Sequence, residues 1–233
     1  MTELWQAFAT AFSLLVSFDA QLFEIVGLSL RVSLTALAFA AAVGLPLGGA
    51  LAVFRFRGRS LAVVALNTMM GLPPVVVGLL VYLVLSRSGP LGGLGLLFTP
   101  TAMVIAQFLL ITPIVASLAR QVLADLWVEY EEQLRSLGAT PGRALRTLLW
   151  DARESLLTAV LAGFGRAIAE VGAVIIVGGN IAHVTRVMTT AIALETSKGD
   201  LPLALALGIV LLGLSMAINA AASALSARGG SPA

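Results

Sequence analysis

Four long stretches of this chain carry no charged residue: Val32 to Phe54, Ser60 to Ser86, Ser88 to Ala119 and Leu201 to Ala227. Each can supply the roughly 20 apolar residues that a bilayer-spanning helix needs. A fifth apolar stretch, from about Ser155 to Val177, is interrupted only by Arg166 and Glu170. The pattern predicts five spans, at about Leu30–Phe54, Leu61–Leu85, Leu96–Leu118, Ser155–Val177 and Leu201–Leu225, in an all-α fold. Pro46, flanked by Gly44 and Gly48, predicts a kink in the first span, where neighbouring helices satisfy the freed backbone groups. Gly71-Leu72-Pro73-Pro74 predicts a break in the second, and Ser86 to Gly95 (SRSGPLGGLG) a short turn-rich loop. Residues 3–18 hold Leu4, Trp5, Phe8, Phe12 and Leu15 in a segment too short to span comfortably. It reads as a helix lying at the membrane interface. If it crosses instead, the count is six.

Between the third and fourth spans lies a polar island, Arg120 to Glu154, which holds eleven of the chain's charged residues. Tyr130, Leu134 and Leu137 fall at i, i+4, i+7 and predict one face of a short amphipathic helix that Gly138 ends. Thr140-Pro141 reads as an N-cap followed by proline at the first helical position. Leu145, Leu148 and Leu149 then form the apolar face of a second short helix. Two readings fit such an island: a solvated connector with interfacial helices, or a docking element for a partner protein.

Composition narrows the class. The chain is 59% hydrophobic and 11% charged, with a mean hydropathy of +1.01, whereas soluble domains carry about a quarter charged residues. The 23 glycines suit close helix–helix approach in a membrane. A net charge of +2 looks basic only because charges are few, and it does not argue for nucleic acid. The absence of cysteine excludes disulfides and thiol chemistry. The N-terminal MTELWQAFATAFSLL lacks the positive start and cleavage site of a signal peptide, so the first spanning helix is expected to direct insertion.

Placement of the basic residues sets orientation. Five spans put nine of them (Arg55, Arg57, Arg59, Arg120, Arg135, Arg143, Arg146, Arg153 and Arg228) on the side of the island. Four fall on the other side: Arg31, Arg87, Arg186 and Lys198. The island is therefore expected in the cytoplasm, and the N-terminus, with Glu3, Asp19 and Glu24, outside.

Candidate chemistry is sparse. Arg166 and Glu170 fall near the middle of the fourth span, where a charge costs about 2.5–3.5 kcal/mol and rarely faces lipid. At i, i+4 they can pair, either as a structural ion pair or as lining of a path. A polar segment expected as an outer loop, Asn180 to Asp200, carries His183, Arg186, Thr189, Thr190 and Lys198. A lone histidine makes no metal site, and neither a metal nor another cofactor is expected. No Gly-x4-Gly-Lys-Ser/Thr loop is present: the one lysine, Lys198, follows Ser197, so the chain has no phosphate-binding loop for ATP. Energy for any transport must come from a partner.

Glu132-x5-Gly138, with Leu148 ten residues on, resembles the EAA loop of ABC-importer permeases. Gln133 and Leu134 stand where that loop has its two alanines, and Trp150-Asp151 where it has Leu-Pro. Leu72-Pro73-Pro74-Val75-Val76, Ser88-Gly89-Pro90-Leu91-Gly92 and Gly165-Arg166-Ala167-Ile168-Ala169-Glu170-Val171-Gly172-Ala173 resemble the molybdate and tungstate permease branch. Gly178-Gly179-Asn180-Ile181, Thr185-Arg186-Val187-Met188-Thr189-Thr190 and Glu195-Thr196-Ser197-Lys198-Gly199-Asp200 are most similar to the tungstate type. The resemblance covers about residues 25–225.

The resemblance implies a type I importer permease fold in a single transmembrane domain, in the cell inner membrane, and a homodimer docking two copies of a separate ATPase subunit. An extracytoplasmic oxyanion-binding protein would deliver substrate. By the same resemblance Glu132, Leu134, Leu137, Gly138, Ala139, Thr140 and Pro141 are expected to couple to the ATPase. Arg166, Glu170 and Gly172 are expected near the translocation path, and Asn180, Arg186, Thr189, Thr190 and Lys198 at its outer end. The expected function is tungstate import without catalysis by this chain. A molybdate or sulfate permease, and an ATP-independent transporter or structural membrane protein, are the alternatives.

Overall fold

In the computed structural model, residues 2–17 and 19–229 are described, and among them every regular element is helical. The side chains of Glu3 and Arg228, counted above for orientation, lie outside the described residues, as does residue 18 of the segment 3–18. The helices are α1 (Thr2–Val16), α2 (Ala20–Val53), α3 (Arg59–Met70), α4 (Pro74–Leu85), α5 (Pro100–Ser136), α6 (Pro141–Asp151), α7 (Arg153–Ile168), α8 (Gly172–Gly178), α9 (Met188–Lys198) and α10 (Leu201–Gly229). Among the described residues one 3-10 turn, Gly92–Leu94, lies in the glycine-rich loop before α5.

Helices α2, α5 and α10 are each long and apolar enough to cross a bilayer. The pairs α3–α4 and α7–α8 bring the crossings to five when each pair counts as one span broken by a short interruption. The first break falls on Gly71 to Pro73, as the glycine and prolines require. The second, at Ala169 to Val171, interrupts a stretch that composition alone predicts as one span. Pro46 sits within α2, which continues past it without a break in the helix. Helix α1, with 15 residues, is about 22 Å long, short of the roughly 30 Å hydrocarbon core. It buries Ala7 and Ala11 and exposes Trp5, Phe8 and Phe12.

The chain divides into two compact units, each discontinuous in sequence. The first comprises Met1–Ala36, Pro73–Gln107 and Arg166–Ala217. Its centre is the contact of α4 with α8, which glycine makes possible: a Cβ at Gly78 would stand 2.7 Å from the Ala173 Cα. The loop before α5 is tied to α8 by the Phe98 N–H donating to the Val177 carbonyl at 2.9 Å. Tyr82 meets Phe98 edge to face at 6.3 Å.

The second unit comprises Leu37–Leu72, Phe108–Gly165 and Ile218–Ala233. Here Gly44 and Gly48 of α2 bring its backbone against α5, and a Cβ at Gly48 would overlap the Ala116 carbonyl. Ala119, Leu123 and Trp127 of α5 pack with Ala144 and Leu148 of α6 and with Ala52 and Val53 of α2 into a buried apolar cluster. Ser117, fully buried, donates to Asn67 Oδ1 of α3 at 2.9 Å. Small residues at these crossings permit the backbone contact that substitutes, within lipid, for a hydrophobic driving force. Helix α10 has the opposite character: only 17% of its most apolar window is buried, against 61% for α5.

Candidate functional site

The polar island takes its shape from one long helix and one short one. Its first half is no separate helix: α5 runs unbroken from Pro100 through Arg120 to Ser136. The sequence places a boundary at Arg120 because charge begins there, but helical backbone bonds are indifferent to which solvent surrounds them. Gly138 ends α5 at φ +71°. The Ala139 N–H donates to the Leu134 carbonyl at 2.9 Å and the Gly138 N–H to the Arg135 carbonyl at 3.0 Å, the paired bonds of a Schellman cap. Thr140 occupies the N-cap position of α6 in extended conformation, yet its side chain makes no capping bond; Pro141 begins the helix as expected.

Tyr130 and Leu134 pack against the apolar cluster, and so do Leu145 and Leu149, around the buried Leu148. Leu137 departs from its expected apolar face: it is 81% exposed. Val128 and Glu132 are exposed as well. The ion-pair centre is the neighbour of the carboxylate that the motif singles out. Glu131 receives Arg135 at 2.6 Å and Arg55, from the connection after α2, at 3.2 Å. Only the fold brings Arg55 there.

A second group of polar residues gathers at the break after α7. Helix α7 stops at Ile168, so Arg166 and Glu170 are not on one continuous helix, but their i, i+4 spacing still pairs them at 2.5 Å. The Glu170 side chain is buried, and its other oxygen accepts the Ala173 N–H at 3.0 Å, across the first turn of α8. The backbone freed by the break finds partners elsewhere. Thr189 donates to the Glu170 carbonyl at 2.8 Å, and Gln107 donates to the Ala167 carbonyl at 3.1 Å. Gln107 Oε1 is buried without a partner. Gly172 lies against Val75, where a Cβ would come within 2.9 Å of the Val75 Cγ2. Sequence reasoning missed Gln107, although a lone amide inside an uncharged span is itself a signal.

The segment expected as an outer loop is largely structured. Residues 188–198 form α9, and Thr189 and Thr190 are buried in it rather than displayed. Thr190 bonds locally, its hydroxyl accepting the Val187 N–H at 3.2 Å. The true loop, between α8 and α9, is held by Thr185, whose hydroxyl donates to the Gly178 carbonyl and accepts the Ile181 N–H. Asn180, at φ +51°, donates to the Thr190 carbonyl at 3.2 Å. Arg186 and Lys198 converge on the buried Glu195 at 3.6 and 3.0 Å. His183 pairs with Glu24 at 2.9 Å on the surface.

Three helices long and apolar enough to cross a bilayer, two broken pairs and a helix–glycine–helix segment between them define a multi-pass membrane protein of the permease kind. The chain belongs to the binding-protein-dependent transport system inner membrane component family, whose model matches residues 44–229. It is 46% identical over 220 residues to the tungstate uptake system permease protein TupB of Peptoclostridium acidaminophilum, covering 94% of this chain and 96% of that one. It is 43% identical to a probable anion ABC transporter permease protein of Haloferax volcanii, over 85% of this chain and 88% of the relative. With the sulfate transport system permease protein CysT of Salmonella typhimurium it shares 30% identity over 87% of this chain and 76% of the relative.

Proposed function

We propose that this chain is the tungstate-conducting permease subunit of an ABC importer, powered by a separate ATPase and fed by an extracytoplasmic binding protein. The observation that carries the reading is 46% identity to a tungstate uptake permease along nearly the whole of both chains. The chain acts as one transmembrane domain, with residues 30–225 as its core, α1 lying at the interface and residues 120–154 facing the cytoplasm. Two copies enclose the pore, and neither hydrolyses ATP.

The ATPase docks on the segment from Glu132 to Pro141. Exposed Leu137 and Glu132 offer it apolar and acidic contacts, and the Schellman cap at Gly138 sets the angle at which α6 leaves α5. Leu134 anchors that corner to the apolar cluster, and Ala139, Thr140 and Pro141 form its turn.

Arg166, Glu170 and Gly172 border the path, with Asn180, Arg186, Thr189, Thr190 and Lys198 toward its outer end. Their charges are largely cancelled. Glu170 neutralises Arg166, and Glu195 serves both Arg186 and Lys198. An oxyanion therefore meets weak attraction rather than a trap, which is what conduction needs. Selection among tungstate, molybdate and sulfate then falls to the binding protein.

The test is uptake into proteoliposomes holding the chain, its ATPase and its binding protein. Tungstate should accumulate only with ATP, and excess sulfate should not compete. Uptake without the ATPase, or equal uptake of sulfate, overturns the reading.

A further inference from the structure

The second half of the polar island carries arginines that the proposed coupling does not use. Among the described residues, Arg143, Arg146 and Arg153 have no carboxylate within ion-pair distance. Arg153 is held in place: its guanidinium lies 5.3 Å from the Trp150 ring centroid and donates to the Trp150 carbonyl at 3.1 Å. Trp150 is 73% exposed. Beside them opens an apolar groove of about 440 Å³ between α2 (Ala42, Leu45) and Leu149, Leu157 and Val160, with Arg153 its one charged lining residue. Leu149 also lines a second cavity together with Arg146 and Trp150, so the two cavities adjoin at Leu149.

The two sides of α7 decide what fills this groove. Glu154 and Thr158 fall on one stripe, and Arg153, Leu157 and Val160 on another about 100° round the helix. An aqueous route would use the polar stripe. The groove opens on the apolar one, whose lining suits an acyl chain. Arginine and tryptophan at its end match the interfacial level, and a guanidinium pairs bidentately with phosphate. Basic pockets between spanning helices suit anionic headgroups.

We propose that this groove binds one anionic phospholipid, an acyl chain between α2 and α7 and its phosphate on Arg153 and Arg146. The test reconstitutes the full chain in phosphatidylcholine nanodiscs containing a small fraction of phosphatidylglycerol brominated on its acyl chains. Trp150 fluorescence is isolated by subtracting the Trp150→Phe protein. Quenching should saturate at low phosphatidylglycerol content, and brominated phosphatidylcholine at the same content should not reproduce it. Arg146→Gln with Arg153→Gln should raise the half-saturating fraction about thirtyfold. Ala42→Phe, at an exposed position, fills the groove with both arginines intact. It should abolish saturable quenching, and it keeps the test decisive if the double variant folds poorly. Equal quenching by the two lipids, or saturation unmoved by these variants, overturns the site. So does efficient disulfide cross-linking of Leu157→Cys between copies of this otherwise cysteine-free chain, which would make the groove a protein interface.

Discussion

The Arg166–Glu170 pair offers the sharpest test of how the second broken span is held together. Glu170→Gln keeps the shape and an acceptor for the Ala173 N–H, but it removes the charge that faces Arg166 at 2.5 Å. Breaking a buried ion pair costs about 3–5 kcal/mol. The lower end applies here, because the Glu170 side chain is 3% exposed but Arg166 is 36% exposed and keeps some water. For a chain of this size about 1 kcal/mol moves the unfolding midpoint by roughly 2–4 °C. The expected fall is therefore about 6–12 °C, read by thermal size-exclusion of the full chain in detergent. Arg166→Gln strands the buried carboxylate and should cost at least as much. The double variant removes both charges. It should be more stable than the summed singles imply, by about 1–3 kcal/mol. Additive single effects, or a shift below about 2 °C for Glu170→Gln, would refute the claim that the pair closes this break.

Three further outcomes follow from the same geometry. Gly78→Leu drives a side chain into the Ala173 backbone and should destabilise by about 1–3 kcal/mol; Gly71→Ala, whose Cβ meets only the Thr68 carbonyl at 3.6 Å, serves as the control in the same thermal assay. At Gly138 the constraint is the positive φ rather than space, since a Cβ there meets nothing within 4 Å. Gly138→Asn should thus retain ATPase binding and ATP-dependent uptake, whereas β-branched Gly138→Val should lose both, and equal behaviour of the two variants would contradict the cap. Thr185→Val removes both hydrogen bonds that close the α8–α9 loop, a loss of about 1–3 kcal/mol, and should speed amide exchange at Ile181 in hydrogen-exchange mass spectrometry.

The spans were legible because lipid imposes a requirement that composition alone reveals: charge-free stretches of sufficient length. Proline and glycine marked the break between α3 and α4, since Pro73 and Pro74 cannot continue a helix. The break after Ile168 was not legible. Val171-Gly172 carries no proline, and what ends α7 is a set of partners, Gln107 and Thr189, supplied by distant segments. Helix α9 was hidden for a related reason. Thr189, Thr190, Glu195 and Lys198 look like solvent-facing residues until the fold buries the threonines and the carboxylate. At the polar island the glycine bend was visible, but Glu131 was passed over for Glu132 because the partner that distinguishes it, Arg55, lies 76 residues away.

Helix α10 contributes differently from the rest, because so little of it touches the remainder of the chain. Its 24-residue apolar stretch is about 36 Å long, somewhat more than the roughly 30 Å hydrocarbon core of an average bilayer. Its buried residues among those described, Leu203, Ala204, Ala206 and Leu207, all lie in its first two turns, so packing within the chain holds that end and leaves any tilt to the remainder. Hydrophobic mismatch therefore acts on this helix more than on α2 or α5, whose backbones are locked together at Gly44 and Gly48. A change in bilayer thickness should therefore be taken up along the part of α10 beyond Leu207.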